Sequence, residues 1–142
     1  MNDADFNFVT SELKRRSGIV IGRDKMYLLE SRLSPLARKE GLESIDELIS
    51  VVRNRRDEAK MKQIVDAMTT NETFFFRDKT PFDHLEQVIL PSLRESRPGQ
   101  RLRILCAACS TGQEPYSIAM MLDQKPELTG GLPVEIVAVD IS

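Results

Sequence analysis

The sequence lacks several features that mark specialised classes of protein. Its 142 residues include only two cysteines, Cys106 and Cys109, and a single histidine, His84. Two cysteines cannot build a disulfide framework, and one histidine beside one cysteine pair supplies too few ligands for an ordinary zinc site. We therefore expect neither a disulfide-stabilised scaffold nor a metal site.

Long apolar segments are also absent. No window approaches the roughly 18 apolar residues of a membrane-spanning helix. The chain begins with the acidic run MNDAD, where a secretion signal would need an apolar core. We expect a cytoplasmic protein whose cysteines stay reduced.

Charge is balanced over the whole chain but not along it. The net charge of −2 argues against a general binder of polyanions. Residues 11–39 nevertheless hold eight basic and three acidic side chains, whereas residues 81–142 hold five basic and eight acidic ones. The basic stretch is either a solvated face or a docking surface for an acidic protein partner. Nucleic acid is disfavoured, because Tyr27 is the only aromatic residue within it.

Residues 1–79 are predicted to form an all-helical N-terminal domain. Apolar residues recur there at helical spacing, and glycines fall between the periodic segments. Ser44 and Glu47 form a capping-box pattern at the start of one such segment. The predicted buried positions are Phe6, Val9, Leu13, Met26, Leu29, Leu33, Leu36, Ile45, Leu48, Ile49, Val52, Met61, Ile64, Val65 and Met68.

Residues 80–100 are predicted to be a linker helix and a turn. Thr80 and Pro81 are typical of a helix start, and Pro91 should bend or end that helix. Its predicted buried face consists of Phe82, Leu85, Val88 and Ile89.

Residues 101–142 show a different pattern, which predicts the first β-α-β unit of a parallel α/β domain. Short apolar strands at 102–106 and 134–139 flank a small-residue loop and a helix at 114–123. Two strands are too few for a doubly wound sheet, so we expect the chain to be part of a larger protein.

The loop between the first strand and its helix, residues 106–117 (CAACSTGQEPYS), indicates a ligand site. Its small residues allow close approach to the backbone, but it matches neither the dinucleotide fingerprint nor a P-loop. Glu114 would repel a phosphate and suits a cationic or amino group. Asp140 can accept hydrogen bonds from ribose hydroxyls. S-adenosylmethionine fits both carboxylates; the alternative is that Glu114 caps a helix and Asp140 merely ends a strand.

A second candidate segment is residues 69–78, TTNETFFFRD. Three consecutive phenylalanines leave at least one ring exposed, with Asn71, Thr73 and Arg77 close around them, which is consistent with a stacking role. The alternative is an aromatic plug that seals the helical part against the next domain.

The Cys106-x-x-Cys109 pair resembles a thioredoxin-like motif only superficially. Ser110, Thr111 and Gly112 intervene between Cys109 and Pro115 of the helix, and Cys106 belongs to the apolar strand, where a buried and inert thiol is expected. We therefore interpret both cysteines as packing residues.

Together these motifs resemble the CheR family of chemotaxis-receptor glutamate methyltransferases. Residues 70–78 are similar to that family's N-x-T-x-F-F-R segment, residues 107–119 to its A-A-x-S-T-G-x-E-P-Y-S-I-A loop, and residues 139–142 to the end of its second strand. The resemblance covers the whole chain. It implies an all-α domain followed by a Rossmann-like S-adenosylmethionine domain, of which this chain holds only the start.

The resemblance also implies site residues, a reaction and a partner. Cofactor contacts fall on Asn71, Thr73, Arg77, Ala108, Glu114 and Asp140. Arg77 is the candidate catalytic residue, either orienting the acceptor carboxylate or only anchoring the cofactor. The basic residues within 11–39 would dock the acidic, methylatable helix of a membrane chemoreceptor, whose glutamates would become methyl esters with release of S-adenosylhomocysteine.

Two other functions compete with this one. The helical domain could be a docking or regulatory module that acts without catalysis. The sequence is less consistent with a nicotinamide-dependent enzyme, because the loop has one glycine where the dinucleotide-binding motif has three. Since further site residues would lie beyond Ser142, we expect the 142-residue polypeptide alone to be inactive.

Overall fold

The structure is a computed structural model that describes all residues from Met1 to Ser142. The chain forms two compact units, one comprising Met1–Thr70 and the other Asn71–Ile141. The segment 71–79, which the sequence analysis assigned to the helical domain, therefore groups with the second unit. The reason lies in hydrogen bonds from this segment to the loop and helix after the first strand, which are described below.

The first unit consists of four α-helices, as predicted. They are α1 (Asp3–Ser17), α2 (Met26–Lys39), α3 (Ile45–Arg55) and α4 (Glu58–Met68), with a 3₁₀ turn at Arg23–Lys25. Side-chain caps define three of the helix starts. Asn2 accepts the Asp5 N–H at 2.8 Å, Ser44 the Glu47 N–H at 3.1 Å, and Asp57 the Lys60 N–H at 3.0 Å.

The predicted apolar stripes meet in one continuous core. Leu13, Leu29, Leu33 and Leu48 are fully buried in it. The other buried members are Phe6, Val9, Ile21, Ala37, Ile49, Val52, Met61, Ile64, Val65 and Met68. Most of the predicted core positions are therefore confirmed, with Met26, Leu36 and Ile45 packing at its edge.

The second unit begins with a helical segment whose buried face differs from the predicted one. Helix α5 (Lys79–His84) passes through a π-helical turn (Leu85–Ile89) into α6 (Leu90–Ser96). Val88 and Ile89, predicted to be buried, are 52% and 39% exposed, and Leu90 is buried instead.

Pro91 explains this shift. It has no N–H to donate, and its ring would collide with a carbonyl of the preceding turn in a regular α-helix. The Leu90 N–H bonds to the Leu85 oxygen five residues back. This wider turn accommodates the proline and rotates the following side chains. The helix also begins at Lys79 with Asp78 at the N-cap position, where the sequence predicted Thr80 as the cap and Pro81 in the first turn.

The β-α-β unit follows as predicted. Strands β1 (Leu102–Ala107) and β2 (Val134–Val139) pair in parallel, from Leu102 opposite Val134 to Ala107 opposite Val139. Helix α7 (Gln113–Gln124) and a 3₁₀ turn (Pro126–Leu128) connect them. Leu90, Leu102 and Met121 form the buried cluster of this unit. The order is thus an all-α domain followed by the beginning of a parallel α/β domain.

None of the helices combines the length and the apolar character that a membrane crossing requires.

Candidate functional site

The sequence-predicted ligand residues lie on three segments of the second unit. These are the segment 71–78 before α5, residues 108–114, which comprise the loop after β1 and the first turn of α7, and Asp140 directly after β2. Because β1 and β2 are parallel, their carboxyl ends meet at one edge of the sheet, where α/β proteins bind ligands.

The loop after β1 has an unusual backbone. Ala108, Ser110 and Gly112 all have positive φ, at 64°, 51° and 100°. Such conformations are costly for residues with a β-carbon and persist only where contacts enforce them. Here the Cys109 N–H donates to the Val139 oxygen at 3.0 Å, so the loop is fastened to the end of β2.

Ser110 connects the three segments. Its N–H donates to Oδ2 of Asp140 at 2.6 Å, and its hydroxyl donates to the Asn71 carbonyl oxygen at 3.0 Å. Asn71, the loop and Asp140 are therefore brought together. Sequence reasoning gave Ser110 no role, since its partners lie 30 and 39 positions away.

Asp140 has a structural function in this arrangement. Its carboxylate accepts the Ser110 N–H and so stabilises the left-handed turn of the loop. A carboxylate has about four acceptor positions, so this bond is compatible with further hydrogen bonds from ribose hydroxyls.

Glu114 and Arg77 line one cavity. Its volume is about 190 Å³, and its wall also includes Asp78, Pro81, Phe82, Leu85 and Ile118. Glu114 lies exposed in the first turn of α7. Complete ligand pockets usually measure about 300–1,000 Å³, so this cavity can take only part of a cofactor.

Arg77 is held by its own segment. Its Nη1 donates to the Glu72 carbonyl oxygen at 2.6 Å, and its guanidinium lies over the Phe74 ring at 5.6 Å. Both neighbours, Phe76 and Asp78, have positive φ, at 53° and 54°. The side chain is 45% exposed, so its remaining donors can reach a ligand.

The other predicted residues are placed less tightly. Thr73 is half-buried and makes no hydrogen bond to the other predicted site residues, and Ala108 is exposed. Phe74, Phe75 and Phe76 are 53%, 54% and 44% exposed, and the Phe76 ring lies 5.3 Å from that of Phe82.

Cys106 is almost completely buried, at 2% exposure. Burial, and to a lesser extent a hydrogen bond with the Glu114 carboxylate, raise the pKa of its thiol to about 11. The thiol is therefore protonated at neutral pH, which matches the predicted inert residue and does not suit a redox nucleophile.

Of the predicted docking residues, some are already bound to partners within the first unit and the others are not. Arg15 and Arg16 bind Glu12, Arg16 also binds Glu58, and Arg23 binds Asp3. Arg32 donates to the carbonyl oxygens of Met68 and Thr69 and to the Thr70 hydroxyl at the end of α4. Within residues 11–39, the exposed basic residues without an ion pair are Lys14, Lys25, Arg38 and Lys39.

Comparisons with known proteins agree in both units. A family model described as "CheR methyltransferase, all-alpha domain" matches residues 4–69, and one described as "CheR methyltransferase, SAM binding domain" matches residues 71–142. S-adenosylmethionine is thus the methyl donor of the matched domain.

Curated relatives align along almost the whole chain. Chemotaxis protein methyltransferase 1 of Pseudomonas aeruginosa is 45% identical over 99% of this chain and 52% of its own length. Chemotaxis protein methyltransferase Cher2 of Pseudomonas putida is 42% identical over 97% and 51%. A chemotaxis protein methyltransferase of Borreliella burgdorferi is 38% identical over 88% and 46%. The chain spans about half the length of these relatives.

Proposed function

The chain belongs to the CheR methyltransferase family, and from this premise we propose that the protein containing it methylates glutamate side chains of membrane chemoreceptors. The products would be glutamate methyl esters and S-adenosylhomocysteine. This activity adjusts receptor signalling in chemotaxis and would take place in the cytoplasm, where the methylated receptor helices lie.

One observation supports the site assignment more than any other. Ser110 joins the segment that begins at Asn71, the loop after β1 and the acid after β2. Three stretches that were singled out separately from the sequence are thereby adjacent.

The residues present fit S-adenosylmethionine. Glu114 offers a carboxylate to the ammonium or sulfonium end of the cofactor, and Asp140 offers one to the ribose hydroxyls. We assign further cofactor contacts to Asn71, Thr73 and the exposed backbone at Ala108. The bound cofactor supplies an electrophilic methyl group, whose bond to sulfur breaks as the bond to the acceptor oxygen forms.

The acceptor chemistry needs no general base. A glutamate side chain is already ionised at pH 7, so its oxygen is nucleophilic without loss of a proton. The protein mainly has to align this oxygen with the methyl group. We assign that task to Arg77, whose guanidinium can bind a carboxylate through two hydrogen bonds; anchoring the cofactor is the alternative.

The docking surface follows from the pairing of the basic residues. Lys14, Lys25, Arg38 and Lys39 are exposed and unpaired, so they can attract an acidic receptor helix. We propose these four as the docking residues in place of the whole stretch 11–39.

The 142 residues alone should bind the cofactor weakly and show no turnover. Their cavity is smaller than a complete cofactor pocket, and their sheet has only two strands. Measurable methyl transfer by this polypeptide would contradict this part of the proposal.

Calorimetric titration with S-adenosylhomocysteine tests the cofactor assignment. We expect binding to the whole protein, and about tenfold or greater weakening in Glu114→Ala and Asp140→Ala. Glu127→Ala, an exposed glutamate of the same unit without an ion pair, is the control. Absence of binding to the unaltered protein would contradict the cofactor assignment.

Transfer of radiolabelled methyl groups to receptor fragments tests the reaction. Base-labile label, released as methanol, would identify a methyl ester. Arg77→Lys distinguishes the two roles of Arg77. Loss of turnover with unchanged S-adenosylhomocysteine affinity favours acceptor orientation, whereas parallel loss of both favours cofactor anchoring.

A second candidate function is a docking module, favoured by the independent core of the first unit. If residues 1–70 bind receptor helices and the whole protein binds no S-adenosylhomocysteine, this function is the better account.

A further inference from the structure

Ser117 is the most deeply buried polar side chain of the second unit, with no exposed surface. It lies on α7, one turn after Glu114. Its hydroxyl donates to the Gln113 carbonyl oxygen at 2.6 Å and accepts the Phe76 N–H at 2.9 Å. Both hydrogen-bonding functions of the hydroxyl are therefore used.

The second of these bonds is unusual for a serine within a helix. Such a hydroxyl commonly donates to a carbonyl four residues back, as Ser96 does to Ser92 at 2.8 Å. Ser117 makes that same bond and in addition holds a backbone N–H from 41 positions earlier in the chain.

The N–H that it holds belongs to a strained residue. Phe76 has φ of 53°, a left-handed conformation that is costly for a residue with a β-carbon. Strain of this kind persists where surrounding contacts enforce it. The Ser117 hydroxyl is one such contact, and the packing of the Phe76 ring on Phe82 is another.

The location of this bond gives it significance for the site. At one end of the bond, Phe76 directly precedes Arg77. At the other end, Ser117 lies next to Glu114 on the surface of α7, because residues three apart on a helix are neighbours. Arg77 and Glu114 line the same cavity. The bond thus fastens the segment that carries Arg77 to the helix that carries Glu114.

We propose that Ser117 is a positioning residue, which fixes the distance between Arg77 and Glu114 through the Phe76 backbone. This inference rests on the proposed function, because it gives the cavity between them to S-adenosylmethionine. Ser117 itself need not touch the cofactor.

The test compares Ser117→Ala with Ser96→Ala in the whole protein. Both variants lose a bond to the carbonyl four residues back, but only Ser117→Ala also leaves the Phe76 N–H without its acceptor. We expect Ser117→Ala to weaken S-adenosylhomocysteine binding about tenfold at a temperature where circular dichroism shows both variants folded. Ser96→Ala should bind like the unaltered protein, and Ser117→Thr, which keeps the hydroxyl, should recover most of the affinity.

Hydrogen exchange of the Phe76 amide provides a readout that is independent of the cofactor. We expect protection in the unaltered protein and in Ser96→Ala, and faster exchange in Ser117→Ala. Unchanged exchange, or faster exchange with unchanged affinity, would overturn the positioning role. If the unaltered protein binds no S-adenosylhomocysteine, the proposed function fails together with this role, while the exchange result still shows whether the bond exists.

Discussion

The two units of this chain differ in how completely they bury their apolar residues. The first unit encloses a core contributed by all four of its helices. The second buries the small cluster around Leu90, Leu102 and Met121 but leaves Leu105, on the other side of β1, 65% exposed. Most exposed large apolar side chains of the chain also lie in the second unit. Helices can close a core among themselves, whereas a parallel sheet needs cover on both faces.

The same contrast separates the two proposed tasks. The first unit presents exposed basic side chains on a rigid helical scaffold, which suits docking. The second carries its candidate ligand residues on strained loops whose geometry depends on hydrogen bonds between distant segments. Binding and catalytic residues commonly lie on such loops.

Separating the units gives the largest expected effect. We expect residues 1–70 to unfold cooperatively in urea, because their core is complete. Residues 71–142 should show no cooperative transition and should bind a hydrophobic dye, because their sheet is open on one face. Circular dichroism and dye fluorescence of the two polypeptides measure this. A cooperative transition in the second polypeptide would contradict the comparison.

Equivalent leucine truncations in the two units should differ next most. Leu33→Ala removes a fully buried side chain from the first core, and we expect a loss of about 2–5 kcal/mol in unfolding free energy. Leu105→Ala removes an exposed side chain from β1 and should change the unfolding free energy by less than about 0.5 kcal/mol. Urea unfolding measures the loss for Leu33→Ala, and hydrogen exchange of the β1 amides measures that for Leu105→Ala; equal losses would show that Leu105 is covered.

Cys106 tests whether any position of the second unit is as well buried as the first core. With its pKa raised to about 11, the thiol has roughly a hundredfold less thiolate at pH 8 than one with the ordinary value near 9. In a Cys109→Ala variant, Cys106 is the only thiol. We expect its alkylation at pH 8 to be at least about a hundredfold slower in the folded chain than in urea. The rate should rise with pH up to about 11. Rapid alkylation at pH 8 would show that β1 opens readily.

The smallest effect concerns charge in the first unit. Hydrogen bonds from Arg15 and Arg16 lower the pKa of Glu12 from 4.5 to about 2. A carboxyl with a lowered pKa stabilises the fold above its unfolded pKa, and this contribution is lost as the pH falls toward 2. We expect Glu12→Gln to lower the unfolding free energy at neutral pH by about 0.3–1 kcal/mol. The loss is this small because the ion pair is partly exposed.

Urea unfolding between pH 6 and pH 2 measures this contribution. The stability of Glu12→Gln should fall less steeply over that range than that of the unaltered chain. Glu127→Gln in the second unit, which has no ion pair, should leave the profile unchanged. Parallel profiles for Glu12→Gln and the unaltered chain would contradict the prediction.

The sequence predicted the helices of the first unit and the strand order of the second, because helical periodicity and β-branched runs are local signals. The capping of α3 by Ser44 follows from residues three apart and was predicted as well. The predicted register just before Pro91 was wrong, since the i to i−5 turn that absorbs the proline leaves no pattern in the sequence. Residue types singled out the three site segments, and the resemblance to a family added roles for their residues but not their geometry.

What the sequence determined by itself was therefore the composition of the site and the elements that carry it. Only the tertiary structure decided that Arg16 pairs with Glu58 and Arg32 with the end of α4, that Ser110 joins three segments, and that Ser117 holds the strained turn before Arg77. The physical reason is separation along the chain. These bonds connect residues about 30 to 40 positions apart or more, and such pairs form only once the intervening helices and strands have packed.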